Sequence, residues 1–227
     1  MKTLGLIGGT SWHSTIEYYK YINRMVEERN SKPPKNPPLL LYSLNVDLIR
    51  RGDWDEINQA YLEISLLLQK AGAKAIMICA NTPHKVCPFI EPHLDIPIIH
   101  IADAIGDEAQ KKGLKTLGMF GTTNVMEEDF IHDILRSKYE INTLTAHEEA
   151  RKEIHRIIAE ELTRGKFKPK AKDFILQQMS ELSERGADGH ILGCTELPLL
   201  IKDTDNEMPL LNTTLVHSRK AVDFIFS

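Results

Sequence analysis

Short apolar runs alternate along this chain with longer stretches whose apolar positions recur every three or four residues. The short runs predict strands at 3–7, 39–42, 74–79, 96–100, 116–120, 139–143, 188–193 and 208–211. The longer stretches predict helices at 14–28, 54–70, 104–112, 126–135, 146–164 and 170–185. Strands without clean alternation, separated by helices, point to parallel sheets covered on both faces. A proline-rich loop is expected at 31–38, and Gly165 with Pro169 separates two successive helices.

The pattern also repeats. Lys2-Thr3-Leu4-Gly5-Leu6-Ile7-Gly8 returns as Lys115-Thr116-Leu117-Gly118-Met119-Phe120-Gly121, 113 residues on. Ala71 to Thr82 returns as Arg185 to Glu196 at an offset of 114, and Ile96-Pro97-Ile98-Ile99-His100 as Met208-Pro209-Leu210-Leu211-Asn212 at 112. Three ordered matches at nearly one offset predict two similar α/β lobes, each a doubly wound parallel sheet flanked by helices. The expected division is 1–103 with 212–227 for the first lobe and 104–211 for the second. Ligands of such sheets sit beyond the carboxyl ends of the strands. There the repeat sets Cys194 opposite Ala80: a thiol against a methyl group.

Composition narrows the classes. The 227 residues are 42% hydrophobic and 26% charged, ordinary for a globular protein. A net charge of −4 gives no basic footprint for nucleic acid or anionic membranes. No apolar run approaches the roughly 20 residues that span a bilayer, and the N-terminus does not read as a secretory signal. Three cysteines without a Cys-x-x-Cys pair fit a reducing cytoplasm better than a disulfide framework. The nine histidines show no ligand spacing, so no metal is expected.

Gly193-Cys194-Thr195-Glu196 places a thiol at a strand end before a helix start, where free N–H groups are expected to lower its pKa. Such a thiolate serves as proton-transfer base or nucleophile, with Glu196 tuning it; a buried, inert cysteine is the plainer alternative. At the matching tip, Asn81 and Thr82 offer amide and hydroxyl to a carboxylate, Pro83 suits a first helical position, and His84 lies one turn in. Strand alternation turns Cys79 away from Ala80's side, so Cys79 reads as a core thiol, as does Cys87. Gly8-Gly9-Thr10-Ser11-Trp12-His13-Ser14-Thr15 suits an anion at a helix start, or simply a cap by Ser11 or Ser14. The second lobe's counterpart is Gly121-Thr122-Thr123-Asn124. One of Arg50 and Arg51, and one cation of the run His147-Glu148-Glu149-Ala150-Arg151-Lys152-Glu153, could meet a substrate carboxylate; solvated surface charge is the commoner reading.

Gly8-Gly9-Thr10-Ser11-Trp12, Arg51-Gly52-Asp53-Trp54, Asn81-Thr82-Pro83-His84-Lys85-Val86, His100-Ile101-Ala102-Asp103, Met126-Glu127-Glu128-Asp129-Phe130 and Gly193-Cys194-Thr195-Glu196 together resemble the aspartate/glutamate racemase superfamily of cofactor-independent racemases. The resemblance covers nearly the whole chain. It implies two pseudo-symmetric lobes with the site in the cleft between them, a homodimer, no cofactor, and a small carboxylate or amino acid substrate. Family members typically set two cysteines on opposite faces of the substrate α-carbon, one removing the proton and the other returning it. Carried over, Cys194 is the second-lobe acid/base. Ser11, Asn81, Thr82, Thr122, Thr195 and Glu196 contact substrate, and Arg51 and Lys152 hold a side-chain carboxylate. The sequence departs from this pattern at Ala80, where the first-lobe cysteine is expected, and at Val125, where relatives often carry threonine. Racemisation of aspartate- or glutamate-like substrates is therefore expected to be weak or altered, with Thr82, a water or a displaced Cys79 acting on the first face. A one-thiol decarboxylase or isomerase of a small dicarboxylate, or a non-catalytic carboxylate binder, is the alternative.

Overall fold

The structure, a computed structural model, describes residues 1–29 and 35–227. The chain divides into two units, Met1–His100 with His217–Ser227, and Ile101–Val216. Of the proline-rich loop expected at 31–38, residues 31–34 lie outside the described residues, and 35–38 carry no regular structure.

The first unit runs β1 (Leu4–Gly8), α1 (Trp12–Arg29), β2 (Leu39–Ser43), α2 (Asp47–Arg51), α3 (Trp54–Lys70), β3 (Ile76–Ile78), a 3₁₀ turn Thr82–Val86 and α4 (Cys87–Ile90). Its parallel sheet has the order β2-β1-β3. Both faces are covered, which is why β1 reads as an unbroken apolar run. Leu4 and Leu6 meet Tyr18, Ile22 and Val26 of α1 on one face, and Ile7 meets Ile57, Tyr61 and Leu68 of α3 on the other. α3 begins where the sequence predicts because Asp53 caps it, its carboxylate accepting from the Asp55 and Glu56 N–H groups. Such a cap is worth about 1 kcal/mol.

The second unit runs α5 (Ile101–Lys112), β4 (Thr116–Gly121), α6 (Thr123–Glu127), α7 (Asp129–Tyr139), β5 (Asn142–Leu144), α8 (Glu148–Arg156), α9 (Pro169–Glu184), β6 (Gly189–Gly193), α10 (Leu197–Leu200) and β7 (Leu210–Asn212). Its parallel sheet has the order β5-β4-β6-β7. Leu117, Met119, Phe120 and Ile191 form its core with Ile105 of α5, Leu135 of α7 and Met179 of α9. The last helix, α11 (Thr213–Phe226), begins in this unit and ends in the first.

The repeat holds at the level of strand register. Gly5 pairs with Ile76 in the first sheet, and their counterparts Gly118 and His190 pair in the second. Ile76 bridges Ile98 as His190 pairs with Leu210. The same hydrogen bond closes each: Ile76 N to Pro97 O and His190 N to Pro209 O, both 2.9 Å. The turns before β3 and β6 rest on Gly72 and Gly186, whose φ angles of 101° and 98° favour glycine.

Several elements differ from expectation. The strand expected at 96–100 is a single bridge at Ile98, where its repeat counterpart at 210–212 forms a three-residue strand. The strand expected at 139–143 starts later: Tyr139 ends α7, and Glu140 turns the chain with φ 56°. The helix expected at 126–135 is broken at extended Glu128. That expected at 146–164 narrows to α8 followed by a widened turn over Ile157–Glu161 and a 3₁₀ turn capped by left-handed Gly165. Helices α2 and α11 were not expected.

Candidate functional site

In the second unit β6 delivers Cys194 to the strand's carboxyl end, half-buried and followed by Thr195, Glu196 and the short α10. The approach is tight. A Cβ at Gly193 would lie 2.9 Å from both the Phe120 carbonyl oxygen and the Val125 Cγ1, and one at Gly121 would lie 2.8 Å from that methyl. Val125, fully buried, thus packs against both glycines beneath the tip.

The thiol and its neighbours share one acceptor. Cys194 Sγ donates to Glu196 Oε2 at 2.9 Å, and Thr195 Oγ1 donates to the same oxygen at 2.8 Å. Burial, and after it the Glu196 carboxylate, push the thiol well above its ordinary pKa. This corrects the expectation of a lowered value. The Glu196 and Leu197 N–H groups do favour the thiolate, but burial and a carboxylate 2.9 Å away outweigh them. Cys194 therefore rests as a protonated thiol, an acid already aligned with a base.

In the first unit β3 leads to Cys79, Ala80 and Asn81. Cys79 is 1% exposed, packed with Leu4, Leu6 and Met77, and burial raises its pKa. Cys87 is likewise buried with a raised pKa. Neither offers a reachable thiolate. Ser14 Oγ of α1 donates to the Cys79 carbonyl at 2.8 Å and anchors the tip. Asn81 is buried, Thr82 is half-buried, and Pro83 opens the 3₁₀ turn.

The loop after β1 is built around Gly9, whose φ is 92° and whose Cβ would lie 2.1 Å from the Leu44 carbonyl oxygen. Its N–H donates to Thr15 Oγ1 at 3.0 Å, and Thr10 Oγ1 meets the Tyr61 hydroxyl at 3.1 Å. Ser11 accepts the Ser14 N–H at 3.4 Å, a long cap on α1. In the second unit Thr122 stands at the N-cap of α6 without bonding the helix through its side chain. Its neighbour Thr123 donates its N–H to His155 Nδ1 on α8 at 3.1 Å. Sequence reasoning missed His155, since no local spacing links α8 to a loop 32 residues earlier.

Both proposed cations point into surface pairs. Arg51 reaches Glu56 at 2.6 Å and Lys152 reaches Glu148 at 2.5 Å, on exposed side chains. Such exposed pairs contribute little to stability and yield readily to a better anion. Ser11, Arg51, Asn81 and Thr82 fall in the first unit, and Thr122, Lys152, Cys194, Thr195 and Glu196 in the second. Among the described residues no group of three His, Cys, Asp or Glu could hold a metal ion, and no helix is long and apolar enough to cross a membrane.

Comparison with known proteins bears on the whole chain. A crystal structure of a candidate Asp/Glu racemase from Yersinia pestis superposes with a TM-score of 0.94 at 35% identity, covering 100% of both chains. An aspartate racemase homologue from Pyrococcus horikoshii OT3 gives a TM-score of 0.88 at 32% identity, again over 100% of both. A glutamate racemase from Hydrogenobaculum sp. (strain Y04AAS1) is 29% identical over 149 residues, which is 65% of this chain but only 54% of that relative's length. The Asp/Glu/Hydantoin racemase family model matches residues 7–221. The chain belongs to the Asp/Glu/Hydantoin racemase family.

Proposed function

We propose that the protein is an amino acid racemase without a cofactor, acting on aspartate- or glutamate-like substrates by proton transfer at the α-carbon through Cys194. The carrying observation is the Cys194–Glu196 hydrogen bond at the carboxyl end of β6. Glu196 takes the thiol proton and frees Sγ to abstract an α-proton from one face; in reverse, the thiol returns it. Asn81, Thr82, Ser11 and Thr122 bind the α-carboxylate and ammonium groups. Arg51 and Lys152 exchange Glu56 and Glu148 for the side-chain carboxylate.

The first face lacks a thiol. Ala80 can neither give nor take a proton, and Cys79 is sealed in the core. Thr82 or a water serves that face weakly, so proton exchange outruns inversion. Ala80 also favours a second reading, a one-thiol decarboxylase or isomerase of a small dicarboxylate that protonates a single face. We further infer a cytoplasmic homodimer, in keeping with three unpaired cysteines and an exposed apolar stripe, Trp12, Ile16 and Tyr19, along α1; sedimentation would test the dimer.

The test is incubation with each enantiomer of aspartate and glutamate in heavy water, following α-proton exchange and optical rotation together. Exchange with slow inversion, lost in Cys194→Ala, supports the racemase. Decarboxylation of a dicarboxylate without amino acid exchange selects the second reading, and absence of any exchange refutes the first.

A further inference from the structure

His84 is fully buried one turn beyond the strand tip. Its Nδ1 lies 3.2 Å from the Asn81 carbonyl oxygen, which also accepts the His84 backbone N–H at 3.1 Å. A carbonyl can only accept, so the proton sits on Nδ1. The ring packs edge-on against two further imidazoles, His100 at 4.8 Å and His217 at 5.3 Å between centroids. His217 is fixed in turn: its Nε2 donates to the Ile99 carbonyl at 2.6 Å, which leaves Nδ1 to accept from the Tyr18 hydroxyl at 3.1 Å.

All of these residues lie in the first unit, and two of the histidines stand at its chain boundaries. His100 is the last residue before the chain leaves, and His217 the first after it returns. The Asn81 tip is thus tied through one buried ring to both places where the chain crosses out of the unit. A cluster of three imidazoles is a poor choice for packing alone, since each polar ring must be desolvated. Burial and the two neighbouring rings hold His84 in its neutral form.

We propose that His84 is a positioning residue: it fixes the Asn81–Thr82 tip through the Nδ1–H bond to the Asn81 carbonyl, with the ring aligned by His100 and His217. The role given to the tip rests on the racemase reading above.

Two variants separate the hydrogen bond from the packing. His84→Asn keeps a donor near the Nδ1 position without the ring, and His84→Phe keeps a ring without the donor. We expect His84→Phe to displace the Asn81 and Thr82 amide resonances. It should raise KM for α-proton exchange on the order of tenfold, with a smaller change in kcat. His84→Asn should keep those resonances and a KM within about threefold of the parent, even where its thermal midpoint falls further. The reverse order would show a packing role alone and overturn the proposal. Long-range ¹H–¹⁵N spectra of the unsubstituted protein give an independent reading: a neutral Nδ1–H tautomer is expected for His84, and an Nε2–H or doubly protonated ring overturns it. If the unsubstituted protein exchanges no α-proton, the racemase reading fails. The tautomer and the amide resonances still decide the role of His84.

Discussion

Replacing Glu196 with glutamine should move two properties of Cys194 in opposite directions. The carboxylate accepts the thiol proton at 2.9 Å and stands beside any thiolate that forms, so it stabilises the protonated thiol twice over. A hydrogen bond to a charged acceptor contributes about 1.5–3 kcal/mol. Cys194 is half-buried, so partial screening places the effect near the lower end. Since 1.4 kcal/mol is about a factor of ten, alkylation of Cys194 by iodoacetamide near neutral pH should speed up about tenfold in Glu196→Gln. Peptide mapping by mass spectrometry assigns the label, and Cys79 and Cys87 should stay unmodified until the protein unfolds. The same substitution removes the base that receives the thiol proton, so α-proton exchange should fall. Alkylation that stays constant or slows in the variant would refute the assignment of Glu196 as the group that holds the thiol protonated.

Gly118→Ala would place a Cβ 2.4 Å from His190 Nδ1 and 3.0 Å from Leu182 Cδ1, in a strand whose register is fixed. Denaturant unfolding should show a loss of about 2–3 kcal/mol, and a smaller loss for its repeat counterpart Gly5→Ala, whose neighbours begin at 3.1 Å. Burial lowers His190 from 6.5 to about 4, so the folded state binds its proton later than the unfolded chain as pH falls. Stability should therefore drop from pH 6.5 toward 4, by about 1.4 kcal/mol per unit, with a shallower slope in His190→Leu. His84, lowered by burial in the same direction, adds to that slope. Ala80→Cys should raise the ratio of inversion to exchange in heavy water; an unchanged ratio would count against a two-face site.

What the sequence made legible follows from where the information lies. The buried strands, α3 with its Asp53 cap, and the Gly72 and Gly186 turns are local, and each is visible in a window of a few residues. The break at Glu128 carries no glycine or proline, so no short window marks it. Helix α11 is a different case: α5 starts directly after His100, and the repeat offset of 112 places a helix start after Asn212, so the repeat itself contained that signal. The buried state of Cys79 was readable from strand alternation, and the contact of Cys194 with Glu196 from their closeness at the end of a predicted strand. The direction of the Cys194 shift was not, because it depends on which way Glu196 turns. His155 and His217 act on residues 32 and 118 positions away, and only the fold brings them there.

The asymmetry between the two strand tips is deeper than one missing thiol. The register equivalence that pairs Ala80 with Cys194 also pairs Asn81 with Thr195 and Thr82 with Glu196. The second-unit tip thus carries a thiol, a hydroxyl and the carboxylate that binds both protons. At the corresponding positions the first-unit tip carries a methyl group, an amide and a hydroxyl. A thiol restored at position 80 would find no carboxylate two residues on, only the Thr82 hydroxyl, a much weaker base than a carboxylate. It would also sit beside a tip whose backbone is held by His84 rather than by a charge. The two faces would then work with acids of different strength, and in Ala80→Cys the kcat values of the two directions would differ while kcat/KM stays equal, because the two enantiomers have equal free energy. A matched pair would require Thr82→Glu as well. Comparing the single and double variants would show whether the thiol or its base limits the first face: a gain confined to the double variant assigns the limit to the base, and a full gain in the single variant shows that a thiol on that face needs no carboxylate partner.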